Sequence, residues 1–232
     1  MEAVHQPAPL AGEHEDWLHR LGVSLSASKW SESLQGIVGK LALNTPLDLE
    51  DGVVLFNHPD LHELGALANA VREARFGRQA FFNSNVHINQ TNICVLACRF
   101  CAFRRGPKAD DAYAMSVDEY VADLAQYAHA VDEVHSVGGL HPEWGVEHYE
   151  SLFRRVSDEH PHVSIKALTA VEIKHLAQRS SISTLDVLKR LRQAGLMSLP
   201  GGGAEILDDE VRAVICNGKE SSEEYIQIHR EA

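Results

Sequence analysis

The chain has 232 residues, 44% of them hydrophobic, and a formal net charge of −12 at pH 7. This size and composition predict an ordinary globular protein with one sizeable core or two small ones. The negative charge argues against a nucleic-acid partner, because phosphate contacts need clustered lysine and arginine side chains. The sequence has no apolar run of about 18 residues, so we expect no membrane span. The N-terminus lacks the basic patch and apolar stretch of a secretory signal, and we therefore expect a cytoplasmic protein with reduced thiols and a small-molecule substrate.

Three segments are predicted along the chain. Residues 1–28 are rich in Pro, Ala, Glu and His and predict a flexible tail. Residues 29–77 contain three stretches with apolar residues at helical spacing, the last of them ended by Gly77, and predict an N-terminal helical segment. Residues 78–232 alternate between strand and helix patterns and predict a βα core.

The βα core contains four predicted strands, at residues 80–89, 131–137, 162–168 and 196–200. The last three begin one βα unit apart, which predicts a parallel sheet. Two of the intervening helices begin with capping boxes, one formed by Ser116 and Glu119 and the other by Thr169 and Glu172. Four parallel strands cannot close a barrel, so we expect either an open sheet or part of a longer protein.

The turns that follow the predicted strands carry the most unusual residues of the sequence. Three cysteines follow the first strand, Gly138 and Gly139 follow the second, and Gly201–Gly203 follow the fourth. The carboxyl ends of parallel strands lie at one edge of a sheet, where α/β proteins place their sites. The sequence therefore predicts a functional site that gathers these three turns on one face.

The cysteines of the first turn, Cys94, Cys98 and Cys101, follow the pattern C-x3-C-x2-C. Thiolates are suitable ligands for iron–sulfur clusters, zinc or Cu(I). Three thiolates on a 4Fe–4S cubane leave one iron free for an exogenous chelating molecule, whereas a structural zinc site needs a fourth ligand, which Cys216 or a histidine would supply. Ordinary buried thiols are a further alternative, and a disulfide is disfavoured in a reducing compartment. The spacing favours the iron–sulfur cluster.

The cysteine loop, with Phe100 and Phe103 around its last cysteine, resembles that of the radical S-adenosylmethionine (SAM) superfamily. The segments HINQTNIC, CRFCAF, EVHSVGGLHPEW, IKALTAVEI, LMSLPGGGAEIL and VRAVICNGK further resemble the aminofutalosine synthases of menaquinone biosynthesis. This resemblance extends from Trp30 to the last residue. It implies an α/β fold, namely a partial TIM-like radical SAM barrel that is truncated after about four βα units and preceded by an N-terminal helical segment.

The resemblance also implies a radical addition reaction. A 4Fe–4S cluster, reduced by a partner such as flavodoxin or ferredoxin, would cleave the co-substrate SAM into methionine and a 5′-deoxyadenosyl radical. The radical would add to the enol ether 3-(1-carboxyvinyloxy)benzoate, and rearrangement with loss of CO2 or bicarbonate would give 6-amino-6-deoxyfutalosine. A cyclic dehypoxanthine futalosine synthase and an inactive metal-binding fragment are the two alternatives.

Residue by residue, the resemblance implies that Cys94, Cys98 and Cys101 bind the cluster. It implies that Gly138 and Gly139 receive the SAM amino group through their backbone, which the absence of side chains would allow. The alternative for these two glycines is a tight strand-to-helix turn without a ligand.

The same resemblance predicts two further cofactor-binding residues, Glu205 for SAM and Arg212 for the SAM carboxylate. Their alternative is a surface salt-bridge pair on one helix face. We predict His141 as a catalytic residue that binds a substrate carboxylate or moves a proton, with a structural histidine as the alternative. Lys166 and Thr169, near the end of the third strand, are expected to approach the anionic benzoate, with a solvated strand end as the alternative.

Overall fold

The computed structural model describes residues 14–232 of the chain. It divides into two compact units, and the boundary along the chain lies between Phe82 and Asn83. No helix of the described residues is both long enough and apolar enough to cross a bilayer.

The first unit is helical. Its elements are α1 (His14–Ser26), α2 (Glu32–Ala42), α3 (Leu49–Phe56) and α4 (Leu61–Phe76). The core of the unit consists of apolar side chains from α1, α2 and α4, namely Trp17, Leu21, Leu25, Leu34, Ile37, Leu67, Ala70 and Ala74. Helix α4 ends at Gly77 with a φ of 60°, which confirms the predicted glycine cap, since this backbone conformation strains residues with a Cβ.

Helix α1 lies where the sequence predicts a flexible tail. Trp17, Leu21 and Leu25 recur every four residues, so they share one face of a helix, and all three are buried. The polar residues between them and the proline-rich start of the chain hide this periodicity in a composition-based prediction. Residues 1–13 of the predicted tail lie outside the described residues.

The second unit is an α/β structure built on four parallel strands in the order β1-β2-β3-β4. The strands are β1 (Asn85–His87), β2 (Glu133–Ser136), β3 (Ser164–Ala167) and β4 (Leu196–Ser198). The helices are α5 (Val117–Ala125), α6 (Val146–Glu159), α7 (Ala170–Ser180), α8 (Thr184–Gln193), α9 (Asp209–Ile215) and α10 (Ser222–Glu231). Each strand lies inside a predicted one, and both predicted capping boxes are present. The predicted α/β fold with four βα units is confirmed.

The two faces of this sheet differ in chemistry because side chains alternate along a strand. Val134 and Ile165 lie in register on neighbouring strands and belong to the buried core that the helices cover. On the opposite face, His87, His135 and Lys166 lie in register across β1, β2 and β3. We call these three residues the polar row.

Candidate cofactor site

The cysteine loop, residues Cys94–Cys101, begins shortly after β1 and is fixed at its base by backbone pairing. The amide of Cys94 donates to the carbonyl of Arg105 at 3.1 Å, and the amide of Arg105 donates to the carbonyl of Asn92 at 2.7 Å. These bonds align the two ends of the loop next to each other. The loop between them projects from the carboxyl end of the sheet, where the sequence predicts the site.

All four cysteines of the chain are free thiols. Burial raises the pKa of Cys98, the nearby Lys219 opposes that increase, and Cys216, Cys94 and Cys101 add to it. The three loop thiols and Cys216 are therefore within electrostatic range of one another. Among the described residues, however, no three His, Cys, Asp or Glu side chains form a ready metal-binding arrangement.

The donor set of this loop fits an iron–sulfur cluster. Cys94 and Cys98 are half-buried and Cys101 is exposed, so one eight-residue loop offers three free thiols. Thiolates are the protein ligands of such clusters, and metal binding releases the thiol protons. Cys216 is buried at the end of α9, as predicted for a packed thiol.

Gly139 allows the cysteine segment to lie against the turn after β2. Its amide donates to the carbonyl of Thr91 at 2.8 Å. A Cβ at this position would lie 2.1 Å from the carbonyl oxygen of Ile93, which is far inside van der Waals contact. The glycine is therefore required by the backbone of the cysteine segment itself.

Gly138, in the same turn after β2, contacts Glu172 at the start of α7. Its amide donates to Oε1 of Glu172 at 3.0 Å, and a Cβ would lie 2.7 Å from Nε2 of Gln90. Within the described chain neither Gly138 nor Gly139 uses its carbonyl oxygen as a hydrogen-bond acceptor. Both carbonyls therefore remain available to an ammonium group, while both amides are used by the fold.

Glu172 is a buried carboxylate whose importance the sequence did not reveal beyond its place in a capping box. Its Oε2 accepts from the amide and the hydroxyl of Thr169 at 2.7 and 2.9 Å. Burial raises its pKa to about 7, against the hydrogen bonds that favour the ionised form, the Gly138 amide first among them. This side chain thus joins the turn after β2 to the start of α7.

Gln90 extends this network under the turns. It is buried, accepts from the hydroxyl of Ser136 at 2.8 Å and donates to the hydroxyl of Tyr149 at 3.0 Å. Its Nε2 also lies 3.5 Å from Oε1 of Glu172. Buried polar groups of this kind are costly unless they are satisfied, so the network fixes one arrangement of β1, β2 and α6.

The glycine loop after β4 packs on the turn after β3. Gly203 has a φ of 94°, and a Cβ there would lie 2.9 Å from Cγ2 of Val171. Glu205 follows with a φ of 59°, and its Oε1 accepts from Nζ of Lys219 at 2.9 Å. The predicted SAM-binding residue is therefore held by a lysine that the sequence analysis did not assign.

Lys219 contacts both the glycine loop and the cysteine loop. Its Nζ also donates to the carbonyl of Gly203 at 3.1 Å and lies 5.5 Å from the ring centroid of Phe100. The amide of Arg99 donates to the carbonyl of Ile215 at 2.8 Å, which adds a backbone contact between the same segments. The only sequence signal for Lys219 was its place in the VRAVICNGK segment.

Arg212 differs from its predicted role. It is buried, and its Nη2 donates to the carbonyl and to Oε1 of Glu220 at 2.7 and 3.0 Å. Its Nη1 donates to the carbonyls of Ala204 and Ile206. These donors hold the glycine loop to the segment after α9, so the binding of a SAM carboxylate by Arg212 stays a prediction. The alternative of a Glu205–Arg212 salt bridge on one helix is wrong, since Glu205 precedes α9 and pairs with Lys219.

His141 lies shortly after the two glycines and belongs to an aromatic stack. Its ring stacks on Trp144 at 4.3 Å between centroids, and His148 stacks on Trp144 at 3.9 Å. Nδ1 of His141 accepts from the amide of Glu143 at 3.2 Å. Burial lowers the pKa of His141 and lowers that of His148 to about 4. Both imidazoles are therefore neutral near pH 7, and a catalytic role of His141 stays a prediction.

The four segments that follow the strands are thus linked pairwise into what we call the carboxyl-terminal rim. The cysteine segment contacts Gly139, Gly138 contacts Glu172, and the glycine loop contacts Val171. Lys219 then joins the glycine loop to the cysteine loop. The protein alone therefore builds a continuous support around the loop that carries the thiols.

The sequence of this core matches the model of the Radical SAM superfamily over residues 88–232. The chain is 40% identical over 197 residues to the aminodeoxyfutalosine synthase of Thermus thermophilus, covering 84% of this chain and 53% of that protein. It is 42% identical over 185 residues to that of Streptomyces coelicolor, covering 79% and 48%. It is also similar to the cyclic dehypoxanthine futalosine synthase of Streptomyces coelicolor, at 34% over 200 residues with 84% and 50% coverage. The match to the FO synthase of Mycobacterium tuberculosis is 37% over 231 residues, with 94% and 27% coverage.

Solved structures resemble this fold at low sequence identity. The FeFe-hydrogenase maturase HydG superimposes with a TM-score of 0.65 at 13% identity, covering 93% of this chain and 47% of that one. Methylornithine synthase superimposes with a TM-score of 0.60 at 17% identity, covering 91% and 55%. The chain spans about half the length of the first curated relatives it matches. With its three-cysteine loop at the carboxyl end of a parallel sheet, and with the family match over most of the second unit, the chain belongs to the radical SAM superfamily.

Proposed function

We propose that this chain is an aminofutalosine synthase and that its second unit supplies the cluster-binding and SAM-binding residues. The reaction is the addition of the 5′-deoxyadenosyl group of SAM to 3-(1-carboxyvinyloxy)benzoate, which yields 6-amino-6-deoxyfutalosine for menaquinone biosynthesis. The observation that carries the proposal is the C-x3-C-x2-C loop on a supporting rim, in a chain 40 to 42% identical to two aminodeoxyfutalosine synthases. The VGGLHP and KALTAVEI segments favour this branch over its cyclising relative.

Family membership implies a 4Fe–4S cluster and SAM. Cys94, Cys98 and Cys101 would hold the cluster, whose bound form supplies the electron that cleaves SAM. The free carbonyls of Gly138 and Gly139 would accept hydrogen bonds from the SAM amino group. A flavodoxin or ferredoxin of the cytoplasm would deliver the electron.

Glu205 is the side chain of the glycine loop that would face the co-substrate. Its Oε1 accepts from Lys219, whose side chain is nearly buried, while the side chain of Glu205 is about a third exposed. An exposed carboxylate at this place accepts hydrogen bonds from hydroxyl groups. The SAM ribose is the hydroxyl-bearing part of the co-substrate, so we assign Glu205 to it.

The proposal is tested by anaerobic reconstitution of the protein with iron and sulfide, followed by incubation with SAM, a reductant and the enol ether. We expect aminofutalosine and methionine in equal amounts, identified by mass spectrometry. Release of 5′-deoxyadenosine without aminofutalosine would show that SAM is cleaved but that the substrate assignment is wrong.

Cyclic dehypoxanthine futalosine synthase is the second candidate, supported by its 34% identity to this chain. Supplying dehypoxanthine futalosine in place of the enol ether separates the two activities, because each substrate serves one reaction. The third alternative, an inactive metal-binding fragment, predicts neither product. In that case metal analysis that finds zinc and no iron would support a structural thiolate site.

A further inference from the structure

The face of the sheet opposite the helices carries polar side chains that none of the roles above uses. We propose that the polar row, His87, His135 and Lys166, binds the carboxylate of an aromatic acid substrate of the benzoate class. This inference rests on the proposed function for the identity of the acid. The charge and hydrogen-bonding capacity of the row rest on the structure alone.

The row is straight because the strands are in register. His87 pairs with His135 between β1 and β2, and His135 pairs with Lys166 between β2 and β3. The two imidazole rings stack at 4.6 Å between centroids. Residues in register on adjacent strands are neighbours on the same face, so three nitrogen-bearing side chains lie side by side.

Two nitrogens of the row, Nε2 of His135 and Nζ of Lys166, make no hydrogen bond within the described part of the chain. Nε2 of His135 is enclosed and has no hydrogen-bond partner among residues 14–232. In the same part of the chain, Lys166 makes one charged contact, at 3.8 Å to Oε1 of Glu133, which is too long for a hydrogen bond. An enclosed polar atom without a partner indicates a water or a ligand at the site, and a carboxylate has enough lone pairs to accept from several donors at once.

Glu133 determines where along the face an anion can bind. It lies one pleat before His135 on the same face, and its Oε2 accepts from Nδ2 of Asn83 at 3.3 Å. A carboxylate there repels a second anion, so the substrate anion is directed toward the carboxyl ends of the strands. Glu133 also keeps the Lys166 ammonium on this face.

The position of the row agrees with the rest of the site. His87 ends β1, seven residues before Cys94, and His135 lies three residues before Gly138. An acid bound to the row would therefore lie under the rim that holds the thiols and the two free glycine carbonyls. The ligand class is a planar aromatic acid with one anionic end on the row.

The chemistry of the row distinguishes this role from a purely structural one. A stacked imidazole pair beside a lysine gains nothing in stability from positive charge, and burial lowers the pKa of His135 with His87 and Lys166 adding to the effect. A purely structural row binds no acid, so removal of the lysine charge would leave the affinity for an acid unchanged, whatever its effect on the contact with Glu133.

The test measures binding of 3-hydroxybenzoate to the reconstituted protein by calorimetry, with phenol as the probe that lacks the carboxylate. We expect Lys166→Gln to weaken 3-hydroxybenzoate binding about tenfold or more, because hydrogen bonds to charged groups are the strong ones. Phenol binding should be unchanged, and Lys166→Arg should retain most of the affinity for the acid. The matched control is Lys174→Gln, which removes a half-buried lysine of α7 that pairs with Glu224.

Each outcome decides the inference. Equal affinity of the wild type and Lys166→Gln for 3-hydroxybenzoate would overturn it, and so would no binding by the wild type at millimolar concentration. Unchanged thermal unfolding of Lys166→Gln would assign the loss to the site rather than to the fold. If the wild type binds the acid through Lys166 yet forms no aminofutalosine, the proposed function fails and the anion site stands. If turnover occurs with an unchanged KM in Lys166→Gln, the anion site fails and the proposed function stands.

Discussion

The carboxyl-terminal rim and the cysteine loop are adjacent in space, yet the protein holds them in different ways. The rim is linked by contacts that the chain makes itself, from the Gly138 amide on Glu172 to Lys219 on the carbonyl of Gly203. The thiols of the cysteine loop are free, and they are not gathered into a ready metal-binding arrangement within the described residues. The rim is therefore held by contacts within the protein, whereas the three thiols are free to bind a ligand.

The protonation of the thiols accounts for the role left to a metal. Burial raises the pKa of Cys98 and the neighbouring cysteines add to the increase, so the thiol keeps its proton when no metal is bound. Metal binding releases the thiol protons and offsets the charge of the thiolates. The fold therefore determines the position of the loop, and a bound metal would determine the final arrangement of its thiolates.

Removal of a cysteine from the loop should have the largest effect of the changes considered, because it removes a ligand of the cluster. We expect Cys98→Ala to lose all or nearly all of the iron bound after anaerobic reconstitution, because two thiolates cannot hold a cubane cluster. The measurement is iron and sulfide per chain, together with the visible absorption of the cluster.

The matched control is Cys216→Ala, which removes a buried thiol near the loop. It should keep its iron. Loss of metal in this variant as well would show a four-thiolate site, which contradicts the three-cysteine assignment.

The second largest effect is expected from a substitution in the carboxyl-terminal rim, at Gly139. Gly139→Ala places a Cβ 2.1 Å from the carbonyl oxygen of Ile93, so the cysteine segment must move. We expect the free energy of unfolding to decrease by about 3 kcal/mol, at the upper end of overpacking effects. Urea unfolding followed by circular dichroism measures this loss.

Gly106→Ala is the control for this variant, since a Cβ there meets nothing within 4 Å and the residue lies just after the cysteine loop. Its stability should equal that of the wild type. Equal loss in the two variants would mean that the Gly139 contact does not support the loop.

Glu172 makes the stability of the rim depend on pH. Its pKa is raised from 4.5 to about 7 in the folded state, so the folded protein binds this proton more tightly than the unfolded chain. The resulting stabilisation is present below pH 4.5 and is lost as the pH rises through about 7. Between pH 5 and 7 we expect a loss on the order of 2 kcal/mol from this group.

The variant Glu172→Gln isolates that loss because glutamine does not titrate. The difference in unfolding free energy between wild type and variant, measured by urea unfolding at pH 5 and at pH 7, should shrink at the higher pH. A difference that stays constant or grows would show that Glu172 is ionised throughout in the folded protein.

Local sequence patterns predicted the secondary structure of the protein but not the long-range contacts that hold the rim together. Strands, capping boxes and the Gly77 cap depend on residues close in sequence, and the structure contains them. The sequence shows Glu172 as part of a capping box. Its hydrogen bond to the amide of Gly138, 34 residues away, follows from no local pattern. The bond of Arg212 to Glu220, eight residues away, likewise belongs to no local pattern, and the role that the resemblance implies for Arg212 stays a prediction.

The smallest expected effect concerns Lys219, the link between the rim and the cysteine loop. Lys219→Met removes two hydrogen bonds and the cation over Phe100 but keeps the aliphatic packing. We expect a net loss of about 1 kcal/mol, because Glu205 is about a third exposed and water replaces the lysine at its carboxylate. That loss corresponds to about fivefold faster tryptic cleavage after Arg99, the arginine of the cysteine loop, if cleavage follows local opening. Lys174→Met removes an exposed salt bridge and should leave this rate unchanged. Equal rates in both variants would show that the cysteine loop stands without its lysine link, and the rim would then end at the glycine loop.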